Sequence, residues 1–288
     1  MVKEIINGHI HFGIEISEIE NVKEIYSDCG IKKLNIVNTA TVGRVNAKNF
    51  SSVCFKLKYP DEIYICGGLE YTFLSKDKKE IKKEILKQVE NLTKMGFDGV
   101  KIIETKPNFL KLLPFKIDDE VYADFFSFIE EKQIPIVWHV ADPEDNWDEN
   151  KIHPLAKKYN WGYFKGEFSK AEEIYRMVEN ILKRYPNLKI IFSHFLFLSD
   201  KLEKAEEILT TYKNVNFDIT PGAEMYLNFS KNCEKTREFF LKFQDRIIFG
   251  DDGPMGDFTK KLINFIRRFL ETEDIFPMIE SYGNFLSY

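Results

Sequence analysis

The chain has 288 residues, 44% of them apolar, which is ample for one large core. Its 41 Lys plus Arg and 46 Asp plus Glu leave a formal net charge of −5, with both signs interspersed. That balance argues against a general nucleic-acid binder and against a polybasic membrane surface.

Apolar, β-branched runs of strand length recur along the chain: Ile5 to Phe12, Leu34 to Thr39, Ile63 to Leu69, Val100 to Glu104, Ile134 to Val140, Lys189 to Phe195, Val215 to Thr220 and Ile247 to Asp252. They are continuous rather than alternating, as expected of strands covered on both faces. Between them lie apolar stripes at helical spacing, such as Ile81, Ile85, Val89 and Leu92, or Ile174, Met177, Val178, Ile181 and Leu182. Met95-Gly96 and Tyr185-Pro186 close two helices, and Ser169 and Ser199 are expected to cap two others. The economical topology is a single (β/α)8 barrel over residues 1–288, within α/β class. A doubly wound open sheet is the rival, weakened because no Gly-rich phosphate loop follows any strand. The connection from Asp142 to Gly166, with Trp147, Tyr159, Trp161, Tyr163 and Phe164, is a candidate lid.

Of the five histidines, four fall at or near the C-terminal ends of predicted strands. His9 and His11, two apart on the first strand, face the same way at about 7 Å, close enough to share one ion. His139 ends the fifth run and His194 lies near the end of the sixth, while Asp251-Asp252 ends the eighth and supplies a carboxylate. A barrel aims all these strand ends at one face. Three imidazoles and a carboxylate suit a divalent transition ion, most simply zinc, which would lower the pKa of a bound water to about 7.

The segments Asn7-Gly8-His9-Ile10-His11-Phe12, Ile136-Val137-Trp138-His139, Ile191-Phe192-Ser193-His194 and Phe249-Gly250-Asp251-Asp252-Gly253-Pro254 resemble, in this order, the amidohydrolase superfamily. More narrowly, the chain is similar to the amidohydrolase-related branch that includes decarboxylases of the aminocarboxymuconate-semialdehyde type. The resemblance implies that His9, His11, His139 and Asp252 bind the metal, and that His194 orients or deprotonates the attacking water, sharing proton work with Asp252. Spacing to Pro254 selects Asp252, and Asp251 stands in the family's Ser/Thr position. Asn7 stands where many members carry an aspartate.

Lys101, inside an apolar strand, is read as a partner for a substrate carboxylate or for Glu104, and the resemblance implies a metal-bridging carbamate there as the alternative. Arg44, Glu70, Trp147 and Tyr226 are further candidate substrate contacts, whereas His153 lies in a loop away from the strand ends. The expected activity is hydrolysis of a small polar amide, lactone or ester; the alternatives are non-oxidative decarboxylation of a cyclic or aromatic acid and, less favoured, a barrel that only binds. A cytoplasmic protein is expected, since no run approaches the roughly 20 apolar residues that span a bilayer and no signal peptide is seen. Cys29, Cys54, Cys66 and Cys233 lack Cys-X-X-Cys spacing and fit reduced thiols. No nucleic-acid or membrane partner is expected, and a homodimer is compatible with the sequence, which leaves no separate apolar patch to assign to it.

Overall fold

The computed structural model describes residues 4–222, 224–253 and 256–274. In chain order its elements are β1 (Ile5–Ile10), α1 (Ile19–Asp28), β2 (Ile31–Val37), α2 (Val45–Lys58), β3 (Ile63–Gly67), α3 (Lys78–Lys94), β4 (Gly99–Thr105), α4 (Pro107–Leu110), α5 (Ala123–Lys132) and β5 (Ile136–Val140). There follow α6 (Pro154–Lys158), α7 (Ala171–Arg184), β6 (Ile190–Phe192), α8 (Leu202–Thr211), β7 (Val215–Asp218), α9 (Met225–Lys231), α10 (Cys233–Lys242), β8 (Ile247–Ile248) and α11 (Asp257–Glu271). All eight expected strands are present. They pair in sequence order, each parallel to the next.

Backbone hydrogen bonds close the ring where the ladder stops: Gly8 donates to the Phe249 carbonyl at 2.8 Å, and Asp252 donates to the His9 carbonyl at 3.1 Å. This seam depends on glycine. A Cβ on Gly8 would stand 2.3 Å from Ile248 Cγ2, and one on Gly250 would stand 2.8 Å from Thr220 Oγ1 and 3.0 Å from His9 Cβ.

The helices form because their apolar residues fall on one face and find the sheet. In α3 the stripe Ile81, Ile85, Val89 and Leu92 is buried, the Asp77 side chain accepts the Glu80 N–H at the start, and Gly96 at φ +85° follows the end. Each such side chain contributes about 1.5–3 kcal/mol on burial. Ser169 and Ser199 do not cap. Lys170 and Lys201 hold those positions, and Ser199 Oγ instead accepts from Asn228. No helix among the described residues is long and apolar enough to cross a membrane.

Candidate metal centre

The C-terminal ends of the strands leave regular geometry where the site is built. β6 stops at Phe192, and His194, Phe195, Leu196 and Phe197 then take φ values of 53–55°. Four consecutive side-chain-bearing residues in left-handed backbone are costly, on the order of 1–2 kcal/mol each. Two bonds hold the turn: His194 N–H donates to Asp218 Oδ1 at 2.8 Å, and Tyr175 OH donates to the Leu196 carbonyl at 3.1 Å. Asp252, beyond β8, is also left-handed at φ 64°. The strain thus lies in segments that bring His194 and Asp252 to the barrel mouth, while Phe195 in the same turn packs into the core against Phe217, Phe229 and Phe239.

His9 is wholly buried on β1, with Nδ1 2.7 Å from Asp218 Oδ2. His11, half-buried, has Nδ1 2.7 Å from the Val37 carbonyl oxygen. A carboxylate and a carbonyl can only accept, so each ring carries its proton on Nδ1 and keeps a lone pair on Nε2. Those lone pairs meet at Asp252, whose Oδ1 lies 3.4 Å from His9 Nε2 and 3.2 Å from His11 Nε2. That oxygen is buried and has no hydrogen-bond partner among the described residues. Three acceptor atoms therefore converge within 4.8 Å. Only the Lys101 ammonium, 3.4 Å from His9 Nε2, offers this cluster positive charge on the His9 side, and the donor set of two imidazoles and a carboxylate suits a divalent transition ion.

His194 comes to the same mouth, its ring 5.8 Å from His9 and 4.9 Å from His139. Its Nδ1 lies 3.1 Å from the Thr220 carbonyl oxygen, which leaves Nε2 as the basic nitrogen. Phe197 stacks on the ring at 5.4 Å and screens it from water. His139 is placed differently. Its Nε2 turns to the Ala141 carbonyl at 3.0 Å and Asp142 Oδ1 at 3.2 Å, so it stands beside the three converging acceptors rather than among them. Burial lowers all three buried imidazoles: His9 to about 4, with the Lys101 cation adding to the effect, His139 to about 3, with Lys106 adding, and His194 in the same direction. Uncharged imidazole is the form that ligates metal.

Asp251 faces the other way. It accepts from Asn7 Nδ2 at 2.7 Å and Tyr26 OH at 3.1 Å, and burial pushes its carboxyl up to about 7. Pro254, which set the register of this motif in the sequence, lies outside the described residues.

Lys101 is buried inside the barrel, where Nζ donates to Ser193 Oγ at 2.8 Å and lies 3.4 Å from His9 Nε2. Burial lowers its pKa to about 8. It does not pair with Glu104, which points outward from the barrel to accept from Tyr71 OH at 2.7 Å and the Ile103 N–H at 2.6 Å. Of the four other candidate substrate contacts, Glu70, Tyr226 and Trp147 are committed elsewhere and Arg44 is turned to the surface. Glu70 Oε1 accepts the backbone N–H of Gly43 at 2.7 Å and of Tyr71 at 2.9 Å, fixing the loop after β2. Arg44 is exposed at the start of α2. Tyr226 is buried among Phe229, Phe265 and Phe269, with its OH donated to the Ile219 carbonyl. Trp147 packs on Tyr163 and donates Nε1 to the Ser169 carbonyl.

Sequence reasoning missed Asp218, Asp142 and Lys106. Asp218 ends an apolar strand as the histidines do, so the same signal was there to find. Asp142 Oδ1 accepts from Lys106 Nζ at 2.8 Å, its other oxygen accepts from Tyr163 OH, and the Lys106 ammonium lies 4.7 Å over the Trp161 ring. These bonds tie the connection between β5 and α7 to the mouth.

No family model matches the sequence, and no curated protein matches it. Solved structures do match. One is a 2,6-dihydroxybenzoate decarboxylase complexed with 2,6-dihydroxybenzoate (12% identity, 99% of this chain and 96% of that one, TM-score 0.60). Another is described as an amidohydrolase II (13% identity, 98% and 96%, TM-score 0.60). A third is a dihydroxybenzoic acid decarboxylase from Polaromonas sp. JS666 with bound manganese and the inhibitor 2-nitroresorcinol (13% identity, 99% and 94%, TM-score 0.57). At these identities the likeness establishes a shared barrel fold over nearly the whole chain.

Proposed function

We propose that this chain is a metal-dependent enzyme of the amidohydrolase superfamily, in its amidohydrolase-related branch, acting on a small polar molecule. The observation that carries this reading is the meeting of His9 Nε2, His11 Nε2 and Asp252 Oδ1, three acceptor atoms of which only His9 Nε2 has a donor, the Lys101 ammonium at 3.4 Å, among the described residues. Those residues would hold one divalent ion, zinc or manganese, with His139 completing the set after its ring turns away from Asp142. When bound, the ion supplies an activated water and polarises a carbonyl. The chain's own groups do the rest. Asp218 fixes the His9 tautomer and anchors the turn that presents His194. His194 accepts a proton at Nε2, and Phe197 keeps bulk water from that side.

Hydrolysis of an amide, lactone or ester is the first reading. Non-oxidative decarboxylation is the second, favoured by one observation: Lys101 puts a buried cation 3.4 Å from His9 Nε2, where a substrate carboxylate could be held. The decarboxylases among the similar structures add support to it. A carbamate on Lys101 would instead serve a second ion.

The deciding experiment loads the protein with zinc or manganese and screens amides, lactones, esters and aromatic carboxylic acids, following acid release or carbon dioxide. Turnover of one class, reduced about 10²–10⁴-fold in His194→Asn at unchanged metal content, is expected. Absence of bound metal in both the native chain and His9→Ala would overturn the reading.

A further inference from the structure

A cavity of about 500 Å³ lies between the connection that follows β5 and the start of α7. Its volume is that of a small-molecule site. None of the four mouth histidines lines it. Its walls are aromatic, with Trp147 against Tyr163 at 4.8 Å and Tyr163 against Phe168 at 5.0 Å. The rings around it already attract ammonium groups: Lys111 lies 4.7 Å over Phe168, and Lys165 lies 5.9 Å over Phe164.

The charges at its edge are of both signs, and several are already spent. Glu144 pairs with Lys201, and Lys151 stands 3.8 Å from Asp148. Asp145, Glu172 and Lys170 also line the cavity, and none makes an ion pair among the described residues. A half-open cleft with aromatic rings on one side, and at its edge exposed carboxylates and an ammonium outside any ion pair among the described residues, matches one ligand chemistry better than a simple cation or a simple anion.

We propose that this cavity binds a small zwitterion, an α-amino acid with an aromatic side chain. Its ring lies against Trp147 and Tyr163, its ammonium faces Asp145 and Glu172, and its carboxylate faces Lys170. The pocket is separate from the metal centre, and the two are neighbours: Tyr163, which lines the pocket, donates its hydroxyl to Asp142, the partner of His139 and Lys106.

Calorimetric titration of the full chain tests this with three probes: L-phenylalanine, phenylacetate without the ammonium, and phenethylamine without the carboxylate. Saturable binding of L-phenylalanine at one site is expected, with each singly charged probe at least about tenfold weaker. Trp147→Leu should lose the binding. Glu172→Gln, on an exposed residue, should weaken it about tenfold without touching the fold. Because amino acids chelate metals, the titration is repeated on His11→Ala, where the affinity should be unchanged. No saturation at millimolar L-phenylalanine, equal affinity for a singly charged probe, or loss of binding in His11→Ala would each overturn the proposal, and none of them bears on the metal centre itself.

Discussion

Asn7 Nδ2 donates a 2.7 Å hydrogen bond to Asp251 Oδ1 across the seam between β1 and β8. Asn7 and Asp251, on the first strand and just beyond the eighth, act as one pair, in which the amide on β1 supplies the donor and the residue after β8 the buried carboxyl. With Asp251 turned to Asn7 and Tyr26, Asp252 is left to face His9 and His11.

A double-mutant cycle checks this pairing. Asn7→Asp alone places two buried carboxyls against each other and is expected to destabilise by about 1–3 kcal/mol. Adding Asp251→Ser should recover most of that loss in urea unfolding. Strict additivity of the two changes would show that the pair does not act as a unit.

Asp218 joins two parts of the proposed site, accepting from the His9 ring and from the His194 backbone. Asp218→Asn keeps the shape but leaves an amide that suits only one of these donors. Metal affinity, measured by chelator competition, should fall about 10–100-fold. An unchanged affinity would make Asp218 a purely structural residue.

Glu104 ties stability to pH. Burial pushes its carboxyl up to about 7 from an ordinary 4.5, against the opposing hydrogen bonds from Tyr71 and the Ile103 N–H. Between those values the folded chain holds more protons than the unfolded one, so stability falls as pH rises through that window. Glu104→Gln mimics the neutral form, since its amide oxygen can accept the Ile103 N–H while its amide N–H donates to the Tyr71 hydroxyl, which can turn its own proton to Tyr122. It should be the more stable protein at pH 8, by at most about 3 kcal/mol, and match the native chain near pH 4. Denaturant midpoints at the two pH values provide the check.

Gly8 is where the barrel closes. A methyl there meets Ile248 Cγ2 at 2.3 Å on a strand only two residues long, so Gly8→Ala should cost about 1–3 kcal/mol and shift the thermal midpoint down. An unchanged midpoint would mean that β8 moves freely against β1.

The strand-length apolar runs and the helical stripes were enough to specify the barrel, because burial on both faces of a parallel sheet writes itself into sequence as continuous hydrophobicity. The same logic located His9, His11, His139, His194 and an Asp251-Asp252 carboxylate at one mouth, while the choice of Asp252 rested on the resemblance. What the sequence left open depended on backbone that leaves the regular pattern and on contacts between distant segments. The left-handed turn at His194 to Phe197 and the φ of 64° at Asp252 have no glycine to announce them. Tyr226 looked available and is enclosed by three phenylalanines, while Glu70 looked like a mouth carboxylate and is occupied by two backbone donors. Asp218, 209 residues from His9, meets it only when β7 and β1 are brought into one barrel. Local periodicity determined which elements form and which strand ends carry chemistry. Only the closed ring decided which way each side chain turns, because that depends on partners the chain reaches by folding.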